Sequence, residues 1–151
     1  MISSKKVKGF TIVELLIVIV VIGILATLVI VTFSGIQQKG RDSQRKTDIN
    51  AVAGHVSAFY ADKGYYPTLN DLNNATWRST NTKGLDAEAL KDPKGTTAAL
   101  ANATTATAYG YVASGGTACD NGQPSSETNA CEAYTLTATL EAGGTYSKTS
   151  N

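Results

Sequence analysis

Three hydrophobic patterns follow one another along the chain. From Leu15 to Phe33 the residues are apolar on every side, interrupted only by Gly23, Thr27 and Thr32. About 20 apolar residues in an α-helix span a bilayer core, so this run is long enough. From Ile49 the pattern changes. Ile49, Val52, Ala53, Val56, Phe59 and Tyr60 recur at three- and four-residue intervals, which marks one face of an amphipathic helix. No proline precedes Pro67, so the two patterns read as one continuous helix from about Ile12 to Ala61, roughly 75 Å long. Its second half needs a domain to lie on. Lys63-Gly64 closes it and Pro67 prevents a restart.

The third pattern is alternation. Tyr134, Leu136, Ala138 and Leu140 interleave with Thr135, Thr137, Thr139 and Glu141, which predicts a strand over 133–141 with the first set facing a core. Tyr109 to Ala113 reads as a second strand, and Gly143-Gly144 turns the chain into a short segment around Tyr146. Before these, Tyr65-Tyr66-Pro67 is an extended step and Thr68 to Leu72 suits a short helix start. Asn73 to Lys94 reads as a polar connection anchored by Leu85 and Leu90, with Trp77 as a packing residue and Asp92-Pro93-Lys94-Gly95 as a turn. The Ala/Thr-rich stretch Thr96 to Ala108 specifies no element. The polar stretch KGRDSQRKTD, from Lys39 to Asp48, has two readings, a lipid-headgroup or nucleic-acid patch and a solvated helix face at the membrane exit; the second is preferred because Asp42 and Asp48 interleave with the basic residues. The predicted fold is α+β: a long N-terminal α-helix, its amphipathic half packed on a small antiparallel sheet of three or four strands.

One residue does not belong in the first pattern. Glu14 is the only charged side chain from Gly9 to Gln38. An acidic residue at the centre of a membrane helix costs about 2.5–3.5 kcal/mol on insertion scales, less toward the interface. Such a residue calls for a partner, and no Lys or Arg follows within the next helical turns to supply one. The plain alternative is a helix-end carboxylate that meets a favourable dipole. Lys5, Lys6 and Lys8 precede the run, so the positive-inside rule places the N-terminus in the cytoplasm and everything after Gln38 outside. A cleaved secretory signal peptide fits poorly, because the apolar run is too long and no A-x-A site follows it. A simple signal anchor accommodates every feature except Glu14.

Charge narrows the functions further. The chain has 13 Lys and Arg against 12 Asp and Glu. Setting aside Lys5, Lys6 and Lys8 leaves 10 basic residues against 12 acidic, a net of −2. Nucleic-acid binding by bulk electrostatics is thereby disfavoured. Cys119 and Cys131 are separated by eleven intervening residues without a CxxC, a poor zinc arrangement. In an exported protein they read as a disulfide; otherwise they are two buried thiols. Such a bridge would contribute about 3 kcal/mol in the chain-entropy picture. His55 has no companion ligand and reads as structural. Asp120, Glu127 and Glu132 lack EF-hand spacing. No GxSxG, HExxH or P-loop occurs, so neither an enzyme nor a metal or cofactor protein is expected.

The stretch KGFTIVELLIVIVVIGIL, Lys8 to Leu25, resembles the N-terminus of type IV pilins and pseudopilins. The shared pattern is a basic leader ending in Gly9, then Phe10, Thr11, Glu14, Leu15 and a long aliphatic run. YADKGYYPTLNDL and YTLTATLE resemble later parts of the same family. The resemblance implies cleavage between Gly9 and Phe10 by a prepilin peptidase, N-methylation of Phe10, and a mature chain of 142 residues once nine of the 151 are removed. It implies a charge pair between Glu14 and the new α-amine of a neighbouring subunit's Phe10. It divides the chain into a leader (1–9), a transmembrane and filament-core half-helix (10–38), an amphipathic half-helix (39–62) and a globular sheet domain (63–151) with a disulfide loop at 119–131. The family usually carries a proline in the membrane helix; here there is none, and Gly23, among many β-branched residues, is the weakest point.

The expected function is therefore that of a structural pilin. It would enter the cytoplasmic membrane as a single-pass precursor, then polymerise with identical subunits into an extracellular filament for adhesion or twitching motility. An inner-membrane platform and an ATPase would drive assembly, and membrane lipid would surround the helix beforehand. The alternatives within this class are a pseudopilin of a type II secretion system and a minor pilin of a DNA-uptake pilus; Leu90 to Tyr111 faintly resembles the pseudopilin pattern of a DP turn before a paired-tyrosine strand. From another class comes a membrane-tethered binding module that never polymerises.

Overall fold

The computed structural model describes residues 9–116 and 118–150. The leader lysines Lys5, Lys6 and Lys8 lie outside the described residues. The chain divides into two compact units, Met1–Gln37 and Gln38–Asn151. Helix α1, Ile12–Lys63, contributes to both.

In the first unit every described side chain is exposed, including Leu15 to Val20, Leu28 and Phe33. The helix is long and apolar enough to cross a membrane. The two threonines of α1 in this unit hide their hydroxyls by local bonds. Thr27 Oγ1 donates to the Gly23 carbonyl at 2.6 Å and Thr32 Oγ1 to the Leu28 carbonyl at 2.9 Å. A hydroxyl satisfied within its own helix needs no water, which suits a lipid environment. Gly23 is helical.

In the second unit α1 buries Ile49, Val52, Ala53, Val56 and Phe59, as its spacing requires. Tyr60 departs from that stripe: it is 40% exposed and stacks on Tyr66 with ring centres 4.3 Å apart. At the helix end the Gly64 N–H bonds to the Tyr60 carbonyl at 2.7 Å with φ at +79°, a left-handed cap that glycine adopts without steric cost.

A short helix forms where Thr68 to Leu72 predict one, and the predicted polar connection, Asn73 to Lys94, contains two further helical segments that hydrophobic spacing did not reveal. Helix α2, Leu69–Asn73, starts with a capping box between Thr68 and Asp71, and α3, Ala75–Asn81, is capped by the Asn74 side chain. A 3-10 turn, Ala87–Leu90, follows, capped by Asp86. Leu90 is fully buried and Leu85 partly so; Trp77 packs on Phe59 at 5.0 Å. The Ala/Thr stretch forms no helix or strand. It is pinned by Asn73, whose side chain exchanges two hydrogen bonds with the Leu100 backbone.

The sheet has three strands, β1 (Gly110–Ser114), β2 (Ala133–Thr139) and β3 (Thr145–Thr149), antiparallel and in chain order. Tyr111 pairs with Leu136 and Val112 with Thr135; Thr137 pairs with Ser147 and Ala138 with Tyr146. Tyr111, Ala113, Tyr134, Leu136 and Ala138 face the core that also holds the α1 stripe. The β2 strand ends two residues before the predicted limit, so Leu140 is half-buried in the turn that follows. Gly143 and Gly144 make that turn with φ of +99° and +78°.

Candidate functional site

Two places concentrate polar chemistry, one at the start of α1 and one where its second unit begins. At the first, the Thr11 backbone N–H and hydroxyl donate to Glu14 Oε2 at 2.8 and 2.7 Å, and the Glu14 N–H returns a bond to Thr11 Oγ1 at 3.2 Å. This is a capping box, so Thr-x-x-Glu has a local role at the helix start. Phe10 is 86% exposed and immediately precedes the cap. Gly9 is described and exposed.

The second place overturns one expectation. The stretch from Lys39 to Asp48 is only partly a solvated face: Lys39, Ser43, Gln44, Lys46 and Thr47 are exposed, but one side of it is buried. Arg45 is fully buried and Asp42 is nearly so. Arg45 forms a fork with Asp92, Nε to Oδ2 at 2.7 Å and Nη2 to Oδ1 at 3.0 Å. Its Nη1 donates to Asp42 Oδ1 at 2.8 Å and to Glu141 Oε1 at 2.9 Å. Glu141 also receives Arg41, at 2.6 and 2.7 Å, and Lys94 at 3.0 Å. Asp42 further accepts the backbone N–H groups of Glu141 and Ala142. Three cations thus face three carboxylates, and the cluster joins α1 to the turn at Asp92 and to the turn after β2. The reason is periodicity: Asp42 and Arg45 lie seven and four residues before Ile49, on the buried stripe. A guanidinium there is tolerable only when fully paired. The partners lie 47 and 96 residues away, so local sequence cannot announce them.

Electrostatics follow this geometry. Arg41 foremost, with Lys94 and Arg45, holds the Glu141 carboxyl far below the usual carboxylate range. Burial works to raise Asp42, but the two backbone donors and Arg45 outweigh it and leave it lowered. Asp48 moves the other way: burial raises it despite the Tyr109 hydroxyl that donates to it at 2.8 Å. A carboxyl lowered by folding stabilises the fold above its unfolded value, and that stability is lost as pH falls through the folded value. Asp42 and Glu141 act in this sense and Asp48 opposes them weakly. The melting temperature of the second unit should therefore hold from neutral pH to about pH 5 and fall below about pH 4. Thermal unfolding of the full chain in micelles across that range checks it; a midpoint that rises on acidification would contradict the cluster's role.

Cys119 and Cys131 are joined by a disulfide, with Cys131 fully buried. The bridge closes the connection between β1 and β2. Asn121 and Asp71 fasten that connection to α2: Asn121 Oδ1 accepts the Leu69 N–H at 3.2 Å, and Asp71 Oδ2 accepts the Ser125 N–H at 2.8 Å. Among the described residues no group of His, Cys, Asp and Glu is arranged to hold a metal ion.

A long helix with an exposed apolar half, a threonine–glutamate box at its start and a small sheet under its second half agree with the architecture that the resemblance to pilins implies. Comparison with known proteins places it more closely. Residues 4–30 match the family described as the prokaryotic N-terminal methylation motif. The type II secretion system core protein G of Escherichia coli is 35% identical over 68 residues, 45% of this chain and 47% of that protein. The type IV major pilin protein PilA of Myxococcus xanthus is 37% identical over 63 residues, 42% of this chain and 29% of the pilin. The fimbrial protein EcpC of Eikenella corrodens is 38% identical over 63 residues, 42% of this chain and 41% of EcpC. The chain thus spans less than half the length of each of these relatives. No solved structure matches. Part of the chain is thus similar to type IV pilins and to a core protein of type II secretion systems.

Proposed function

We propose that the chain is a filament subunit made as a membrane precursor. The leader, residues 1–9, is removed between Gly9 and Phe10 by a prepilin peptidase, and Phe10 is N-methylated. Residues 10–38 hold the precursor in the cytoplasmic membrane with its N-terminus inside. Identical subunits then polymerise through these half-helices, with an inner-membrane platform and an ATPase supplying the work. Residues 39–62 and 63–151 form the coat of an extracellular filament that serves adhesion or twitching motility. The role is structural, without catalysis or cofactor.

The observation that carries this reading is the combination in the first unit. Every described apolar side chain of the half-helix is exposed, yet one carboxylate, Glu14, is kept at its start. Burial of an aliphatic side chain from water gives about 1.5–3 kcal/mol. Lipid already hides these side chains before assembly, so the net gain on moving into a filament is much smaller. That is why a motor is needed, and why a charge is useful to set the register.

A second reading, a pseudopilin of a type II secretion system, is favoured by the likeness to core protein G. It shares the processing and the membrane stage and differs in what the filament does.

Intact mass and N-terminal sequence on material sheared from the cell surface test the proposal. The expected product begins at N-methylated Phe10 and is two hydrogens lighter at Cys119 and Cys131. A chain that begins at Met1, or that is found only in the membrane, would favour the tethered binding module.

A further inference from the structure

We propose that the cleft beside Lys39 and Lys46 is a docking site for the phosphodiester headgroup of an anionic phospholipid. Six cations gather where the second unit begins: Lys39, Arg41, Arg45, Lys46, Lys91 and Lys94. Four of them are neutralised. Arg41, Arg45 and Lys94 are paired within the Asp42–Asp92–Glu141 cluster, and Lys91 lies 3.6 Å from Glu88. Lys39 and Lys46 are exposed and have no acidic partner among the described residues.

These two left-over cations line the same cleft, of about 310 Å³, with Ser43, Asp42, Leu140 and Ala142. Lys39, Ser43 and Lys46 are spaced at i, i+4 and i+7, so they share one face of α1. Asp42 does not cancel them, because both its oxygens are already occupied by Arg45 and the Glu141 and Ala142 N–H groups. The cleft therefore offers two ammonium groups and a hydroxyl to an anion, with Leu140 and Ala142 as an apolar wall. Lys148, which also has no acidic partner among the described residues, lies 6.0 Å from the Tyr146 ring, which Lys46 approaches to 5.9 Å.

Sequence position selects the occupant. Lys39 follows Ile36, the last apolar residue of the membrane run, by three positions. In a membrane precursor this is the stretch of chain that meets the headgroup layer. Basic residues at a membrane exit are attracted to anionic lipid, and two of them favour it over neutral lipid on the order of 30-fold. The docking would hold the waiting subunit against the leaflet and be given up on extraction into the filament. It rests on the membrane-precursor stage proposed above.

The test uses the full chain in nanodiscs of phosphatidylcholine mixed with phosphatidylglycerol, released for native mass spectrometry. The chain should retain phosphatidylglycerol over phosphatidylcholine by about tenfold or more. The Lys39→Gln/Lys46→Gln variant should fall to near parity, while Lys83→Gln, on an exposed surface outside the cleft, should retain the preference. Equal retention by the double variant, or no preference in the parent chain, would overturn the assignment. So would complete displacement by millimolar inorganic phosphate, which would mark a free-anion site. A chain that never enters the bilayer would overturn the precursor reading itself and the headgroup site with it.

Discussion

Replacing Arg45 with methionine should destabilise the second unit by about 3–5 kcal/mol, the usual cost of removing one partner from a buried ion pair. The side chain is fully buried and its guanidinium is shared among Asp92, Asp42 and Glu141. Methionine fills most of the volume but leaves Asp92, also buried, with its charge facing a thioether. In a unit of this size the loss should lower the melting temperature by about 10 °C or more. Near-ultraviolet circular dichroism of the full chain in micelles reports it, because Trp77 and all seven tyrosines lie beyond Gln38. Adding Asp92→Asn to Arg45→Met should recover part of the loss, since the stranded charge is then gone. Arg41→Met should do far less, because Arg41 sits at the half-exposed rim of the same cluster, where solvent screens the pair. A change below about 1 kcal/mol for Arg45→Met would mean that the cluster behaves like a surface salt bridge.

The legible parts of this fold were those written in local periodicity. A 3.6-residue stripe and the absence of proline announced α1, and strict alternation announced β2. The fold class followed, and the sheet has three strands. What escaped was held by side-chain caps and by long-range pairing. Helix α3 carries little apolar periodicity and is set by Asn74, an ordinary-looking Asn in an Asn-rich stretch. The Arg45 cluster escaped for a different reason. Charged residues on a helix are usually solvated, and interleaved signs strengthen that expectation. Extending the stripe backwards from Ile49 would have shown Arg45 and Asp42 in phase with the core. That phase is the signal, and its partners Asp92 and Glu141 are visible only once the turns are in place. At the other end of the helix, the resemblance to pilins put Glu14 in a charge pair, and only the structure adds the capping box with Thr11.

That box makes Glu14→Gln the informative substitution at the N-terminus, with Glu14→Ala beside it. Glutamine can take the glutamate's place in a capping box but carries no charge. Alanine removes both the cap and the charge. If the carboxylate serves assembly, the two variants should enter the membrane and be processed at Gly9, since removing a charge from a membrane helix eases insertion. Both should then yield at least about tenfold less sheared filament relative to the membrane pool, because the α-amine of a neighbouring Phe10 is left without its counter-charge. If the carboxylate only caps the helix, Glu14→Gln should assemble like the parent chain and only Glu14→Ala should fail. The geometry leaves room for the first outcome. Both Thr11 donors reach the same oxygen, Oε2. Among the described residues none donates to Oε1, so the cap can persist while the second oxygen receives an ammonium from a neighbouring subunit. On that arrangement Thr11 keeps the carboxylate in place in the waiting subunit, and assembly adds a partner without breaking the cap. Thr11→Ala should accordingly weaken assembly less than Glu14→Gln does. Filament yields in the opposite order would show that the cap, and not the charge, sets the yield.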